Sequence, residues 1–222
     1  MREPGFAFRS GVVRLKATLL ATALLAVAPA TSLPAQSAPA AEIGAFRAEV
    51  VHAAFLINFI RFTEWPGEVA RTNAPFTVGV AGSRALEDEL IMLAEKQTVR
   101  NRRIRVIRIK NIGDLAACQV LYIHANPGLG DEGAPSMAEL LAYARGKPVL
   151  TVSESPNFLA QGGIVNFYPG EKGTVRFEIA PDHAREAGLL LSSRLLALAR
   201  IVRPPKPSDG IPGEGPATDG VQ

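Results

Sequence analysis

The chain has 222 residues, with 24 Lys and Arg, 21 Asp and Glu, and a single cysteine. Residues 1–30 hold four of the basic residues and one of the acidic ones, so the remainder balances at 20 of each; that excludes the strongly basic face which phosphate neutralisation on nucleic acid requires. Cys118 has no partner for an internal disulfide, and about 170 ordered residues bury enough surface to fold without one.

Arg2, Arg9, Arg14 and Lys16 precede a stretch of apolar and small residues from Ala17 to Ala28, followed by Ala28-Pro-Ala30. A basic start, a short apolar middle and a small-residue cleavage site define a secretory signal over residues 1–30, and the apolar stretch falls short of the ~20 residues a spanning helix needs. A second Ala-x-Ala site lies at Ala38-Pro-Ala40, the first being preferred. The mature chain is expected to be exported and soluble, with residues 31–43 as a disordered leader, residues 44–203 as one α/β domain and residues 204–222 as a disordered Pro- and Gly-rich tail.

Within the domain, Phe55, Phe59 and Phe62 recur at i, i+4 and i+7, with Val51, Leu56 and Ile60 widening the stripe, which predicts an amphipathic helix from Ala45 to Phe62. Trp65-Pro66 ends it, because a residue before proline is pushed out of the helical region. A strand follows at Phe76–Ala81, then Gly82, Ser83 as a cap, and a helix from Leu86 to Glu95. Strands are read at Arg103–Lys110, Cys118–His124 and Val149–Val152, with a helix at Ser136–Arg145. Strands alternating with helices imply right-handed crossovers and a mostly parallel sheet. Ile164–Tyr168 and Thr174–Ile179 flank Pro169-Gly-Glu-Lys-Gly173, a hairpin signal, so the sheet is expected to end in an antiparallel C-terminal pair. Pro181-Asp182 then starts a last helix carrying Leu189 through Val202, ended by Pro204-Pro205.

Chemistry-bearing patterns are sparse. His52, His124 and His183 sit on three different elements without metal-ligand spacing, and read as ordinary surface or half-buried histidines. No Gly-x-Ser-x-Gly elbow surrounds Ser153, Ser155, Ser192 or Ser193, and Gly79, Gly82, Gly162 and Gly163 make neither a dinucleotide fingerprint nor a phosphate loop. No catalytic residue, metal or cofactor is therefore expected. The run Arg100, Arg102, Arg103, Arg105, Arg108 and Lys110 alternates with apolar residues as a solvated strand face would, the other reading being an anionic ligand or partner. Cys118, beside Val120, Leu121 and Ile123, reads as an inert core thiol.

Two features point to recognition. Gly162-Gly163 directly before a strand permits positive φ and close backbone approach, as a turn or as the wall of a pocket. Glu178 lies between Phe177 and Ile179 and points to the opposite face from both. It either faces solvent or is held by a cation such as Arg176 or Arg194.

The ordered series Ala53-Ala-Phe-Leu-x-Asn-Phe-x-x-Phe-x-x-Trp-Pro66, Cys118-x-Val-Leu-Tyr-Ile123, Pro148-Val-Leu-Thr-Val-Ser153, Gly162-Gly-x-Val-x-Phe167, Val175-Arg-Phe-Glu-Ile179 and Ala187-Gly-Leu-x-x-Ser-Ser-Arg-Leu-Leu-x-Leu-Ala199 resembles the YfiR family of periplasmic proteins over residues 46–203. The resemblance implies a three-layer α/β sandwich with helices on both faces of the sheet, and a non-enzymatic role. The best-characterised members of that family bind the periplasmic part of an inner-membrane diguanylate cyclase and hold it inactive, release raising cyclic di-GMP and favouring biofilm, and the resemblance leaves other membrane signalling proteins as partners of other members. Members often carry a cysteine at the place of Gly79, able to pair with one like Cys118; that bridge is impossible here. Ala180 and Ile57 also replace the family's usual Asn and Tyr.

The expectation is a homodimeric regulator that binds the periplasmic domain of a membrane signalling protein, a diguanylate cyclase or a sensor kinase, through Arg176, Phe177, Glu178, Gly162 and Gly163. The alternative is a small-molecule sensor with an aromatic pocket between helix and sheet, lined by Phe55, Phe59 and Trp65.

Overall fold

In the computed structural model, which describes residues 38–67, 69, 72–128 and 133–204, the first helix α1 spans Ala38–Phe62. The expected signal over residues 1–30 and the tail beyond Pro204 lie outside the described residues. α1 begins seven residues before the predicted start and runs back into the stretch read as a disordered leader. Its buried stripe is centred on Leu56 and Ile60, flanked by Ala53, Ile57 and Phe59. Phe55 is left at the margin and Val51 is exposed, while His52, one turn before Leu56, is brought under cover. His52 is thus a buried residue, not the surface or half-buried one expected.

After α1 come β1 (Thr63–Glu64), β2 (Phe76–Ala81), α2 (Arg84–Glu95), β3 (Thr98–Val99), β4 (Arg102–Arg108), β5 (Val120–Ile123), α3 (Met137–Ala144), β6 (Leu150–Ser153), β7 (Val165–Pro169), β8 (Val175–Ile179), α4 (Pro181–Glu186), β9 (Leu190–Leu191), α5 (Ser193–Leu198) and β10 (Arg200–Ile201). Local chemistry sets the helix starts. Ser83 accepts from the Leu86 amide at 3.3 Å to open α2. Ser136 and Glu139 form a reciprocal box that satisfies two free amides of α3.

Among the described residues the main sheet runs β10-β8-β7-β6-β5-β2-β4-β3. β4, β2, β5, β6 and β7 are parallel neighbours, β7 and β8 are antiparallel, and the α/β sandwich expected from the sequence is the observed architecture. Side-chain alternation divides the core into two layers. Val78, Val80, Val120, Tyr122, Val152, Phe167 and Phe177 face α1 and α2, whereas Leu121, Ile123 and Ala81 pack with Leu140, Leu141, Phe158 and Leu159 on the other side.

The structure departs from the predicted elements in three places. First, the leucine-rich C-terminal run is not one helix. Gly188, with φ +71°, ends α4: its amide donates to Arg185 O and the Leu189 amide reaches back to Ala184 O, the bond pair that closes a helix on a left-handed residue. Ser192 then caps α5 by accepting from the Leu195 amide. Second, the segment between them, β9, pairs antiparallel with β1 just after α1, Thr63 opposite Leu191, and the chain finally adds β10 parallel to β8, so the C-terminal hairpin is not the edge of the sheet. Third, β3 and β4 form a hairpin through Arg100 and Asn101, both at positive φ, as a two-residue turn matched to strand twist requires.

That hairpin also breaks the expected solvated arginine face. Arg102 is buried, bonds Val69 O at 2.8 Å and Ala74 O, and lies 3.7 Å from the Phe76 ring centroid, pinning the segment ahead of β2. Burial, followed by the nearby Arg100 charge, lowers its pKa. Arg108 is paired with Glu87 of α2.

Cys118 is buried and its Sγ donates to Asp114 O at 3.6 Å. Burial, reinforced by the Asp114 charge, pushes the thiol up to about 12. A raised folded-state pKa means that the native chain holds its proton more tightly than the unfolded chain. This contribution is complete below about pH 9 and is lost as pH rises to about 12. Denaturant titrations across that window should show stability falling more steeply for the natural protein than for Cys118→Ala, by up to ~1.4 kcal/mol per pH unit.

A Cβ placed on Gly79 would stand 2.8 Å from Cys118 Sγ and 2.7 Å from Ile109 Cδ1, the tip of a movable side chain. Gly79→Cys should therefore oxidise to a bridge with Cys118. A non-reducing peptide map should find it, with a gain of ~4 kcal/mol over the reduced variant from loop closure.

Candidate functional site

In the β7–β8 ladder, Asn166 stands opposite Glu178, Phe167 opposite Phe177 and Tyr168 opposite Arg176. Because successive side chains alternate, Phe167 and Phe177 turn inward beneath α1, while Asn166, Tyr168, Arg176 and Glu178 share the outer face. β10 adds Arg200 directly beside Glu178.

Glu178 is held, but by neither cation expected. Arg200 donates from Nε to Glu178 Oε2 at 3.0 Å and its terminal nitrogen contacts the same oxygen. Asn166 Nδ2 donates to Oε1 at 3.2 Å. The Arg200 guanidinium also lies 4.3 Å from the Tyr168 ring centroid. The hydrogen bond and the charge of Glu178 raise the Arg200 pKa. Glu178 is left only 13% exposed, whereas Arg200 is 58% exposed, so the outer face presents the cation more than the carboxylate. Exposed ion pairs contribute little to stability, so what this row offers to the outside is chiefly the Arg200 guanidinium, held by Glu178 above a buried Asn166.

Of the expected recognition residues, Arg176 and Glu178 share this face, and Arg176 is exposed. Phe177 points the other way, edge-on to Phe55 and Phe59 at centroid distances of 5.3 and 5.2 Å. The glycine pair lies at the start of β7, three residues from Asn166, or ~10 Å along the strand. Gly162 is exposed in the left-handed region with φ +101°, and Gly163 is buried against the Phe158 ring. Gly163 O accepts from His183 Nδ1 at 2.8 Å, tying the turn to the first turn of α4.

The aromatic residues expected to line a pocket are packed together instead. Phe59 and Trp65 are buried, Phe59 stacking on Phe55 and Phe167 while Trp65 lies against Phe76 at 5.5 Å. Arg200, Asn166 and Tyr168 are the residues of the outer face that sequence reasoning missed. Tyr168 and Asn166 were legible once the hairpin was aligned, since Pro169 and Gly173 bound its loop; Arg200 was hidden by the assumption of an unbroken final helix.

A family model described as YfiR/HmsC-like matches residues 49–200, from the middle of α1 to β10. The chain belongs to the YfiR/HmsC-like family. No curated protein matches the chain. The YfiR/HmsC-like family is one of periplasmic regulators, not catalysts, and its matched span takes in Glu178, the glycine turn and Arg200. Among the described residues no helix is long and apolar enough to cross a membrane.

The two glycines of the turn have separable roles, which substitution should resolve. A Cβ on Gly163 would overlap the Phe158 ring, which is fully buried and has nowhere to go, so Gly163→Ala should cost ~3 kcal/mol in denaturant unfolding. Gly162→Ala meets open space and should cost only the ~1–2 kcal/mol of its positive φ. Equal costs would mean that the Phe158 ring yields.

Proposed function

We propose that this chain is a periplasmic, non-enzymatic regulator that binds and restrains a membrane signalling protein, a diguanylate cyclase, and so limits cyclic di-GMP production. The observation that carries the reading is the row Asn166, Glu178 and Arg200 across three strands of the outer sheet face, with Arg176 and the Gly162–Gly163 turn beside it. β10 ends the sheet, and the flanking Leu198 is 74% exposed with Leu190 and Ile201 also open. An edge strand and exposed apolar side chains are features that a second polypeptide covers. Family membership supplies the class of partner.

Restraint of this kind requires no chemistry. A regulator that binds the inactive conformer of its partner more tightly than the active one shifts the population by that preference, ~1.4 kcal/mol for each factor of ten.

Tagged protein incubated with detergent-solubilised membranes of its own cell should capture a cyclase, and Glu178→Arg should cut capture at least about tenfold, since Arg200 would then face a like charge. Arg200→Glu should do the same, and deleting the protein should raise cellular cyclic di-GMP. Undiminished capture by a folded Glu178→Arg variant would remove the outer face from the account.

A further inference from the structure

The buried His52 belongs to a polar cluster that the partner-binding reading does not use. Its Nδ1 has no hydrogen-bond partner, although it lies 3.7 Å from Glu49 Oε2 and 3.8 Å from Glu154 Oε2. Glu49 Oε2 is likewise buried and unpartnered. Glu154 is anchored through its other oxygen, which accepts from Tyr122 Oη at 2.9 Å and stands 3.5 Å from His124 Nε2. Burial, with the Glu154 charge adding, pushes the Tyr122 phenol far above its usual range, so Tyr122 remains a donor and fixes the carboxylate. At these separations His52 Nδ1 and the two carboxylates do not hydrogen-bond, and each buried unpartnered polar atom costs desolvation free energy until a partner reaches it.

The cluster opens onto a cavity of about 430 Å³ lined by His52, Glu154, Ala125, Phe167, Tyr168 and Val175, among others. The His52 ring stacks on Phe167 with centroids 4.2 Å apart and planes 11° from parallel. The cavity sits past the carboxyl ends of β5, β6 and β7, the edge of a parallel sheet where α/β proteins bind ligands. Its walls are largely apolar, its charged end is built from the Glu154 carboxylate and the His52 imidazole, and no Lys or Arg lines it. That combination disfavours an anion and suits a cation.

We propose that this cavity binds a small organic amine, with its apolar or aromatic body against Phe167 and Val175 and its ammonium group donating to Glu154 Oε2 and His52 Nδ1. An ammonium group carries several donors and no acceptor, which answers the carboxylate oxygen of Glu154 that faces His52 and the Nδ1 lone pair of His52 in its Nε2–H tautomer. Its charge makes those bonds stronger than neutral ones. The size fits a molecule of drug-like dimensions or smaller. The proposal is independent of the partner-binding reading, because it concerns the purified protein alone and the other side of the β7–β8 hairpin.

Calorimetric titration of the purified protein with phenethylamine, tyramine and benzylamine tests it, with 3-phenylpropanoate as the charge-inverted control. At least one amine should bind saturably at or below about 1 mM, the acid should not, and Glu154→Gln should weaken the amine about tenfold or more. If Glu154→Gln does not fold, Ala48→Phe, which fills the cavity from α1 without touching the carboxylates, should abolish binding. Absence of saturable binding by all three amines, equal binding of acid and amine, or undiminished binding by the folded variant would each overturn the proposal.

Discussion

Phe55 and Phe59 of α1 meet Phe167 and Phe177 of the β7–β8 hairpin at centroid distances of 5.2 to 5.8 Å, joining the first element of the domain to the strands near its end. Each buried ring contributes ~1.5–3 kcal/mol through area removed from water, with ~0.5–1.5 kcal/mol more for favourable ring geometry. Closing a contact of such long sequence separation costs loop entropy first, so it takes a cluster of large rings to repay it. The contact also sets the hairpin's orientation. With Phe167 and Phe177 held inward, a period of two sends Asn166, Tyr168, Arg176 and Glu178 outward, and a slip of one residue would exchange the faces.

This constraint explains which parts of the molecule were legible in the sequence. The parallel core could be read because each strand is a short apolar run bounded by turn or capping residues: β2 lies at its predicted bounds, Ser83 caps the helix placed after it, and Ser136, read as the first helical residue, is the cap of α3. The hairpin could be read from Pro169 to Gly173, and the exposure of Glu178's face from simple alternation. What stayed hidden were elements of two residues, β1, β3, β9 and β10, because a two-residue strand has no periodicity to detect. Those short strands nonetheless decide the outer face, since β10 brings Arg200 to Glu178.

The C-terminal run shows the same limit from another side. Leu189, Leu190, Leu191, Leu195, Leu196 and Leu198 satisfy a helical pattern as well as a strand one, because nearly every position is apolar. Only local punctuation distinguishes the cases: a glycine able to adopt positive φ at 188 and a serine able to cap at 192. Leu189 and Leu195 are buried and Leu190 and Leu198 exposed, a division that a single amphipathic helix would show as well, so the pattern of burial does not reveal the break either. The His52 cluster was missed for a related reason. His52 fits the buried stripe of α1 by spacing, but its partners Tyr122, His124 and Glu154 come from the ends of two strands and are brought together only by the order of the sheet.

The inner cavity and the outer face are opposite sides of one hairpin. Phe167 and Val175 line the cavity, and their neighbours Asn166 and Arg176 lie on the outer face, so no step in sequence separates the two surfaces by more than one residue. Proximity alone does not make them coupled. A ligand in the cavity alters partner affinity only if it binds the partner-bound form with a different free energy, and by linkage the partner then alters ligand affinity by the same factor. The packing bears on which motion can carry such an effect. The inward side of the hairpin is pinned by the four-phenylalanine cluster, whereas its turn from Gly170 to Thr174 and the edge strand β10 are held by few buried contacts. A change at the cavity therefore reaches the outer face most cheaply through the turn and the Glu178–Arg200 pairing, where rearrangement costs little, and least cheaply through the core, where close packing resists it.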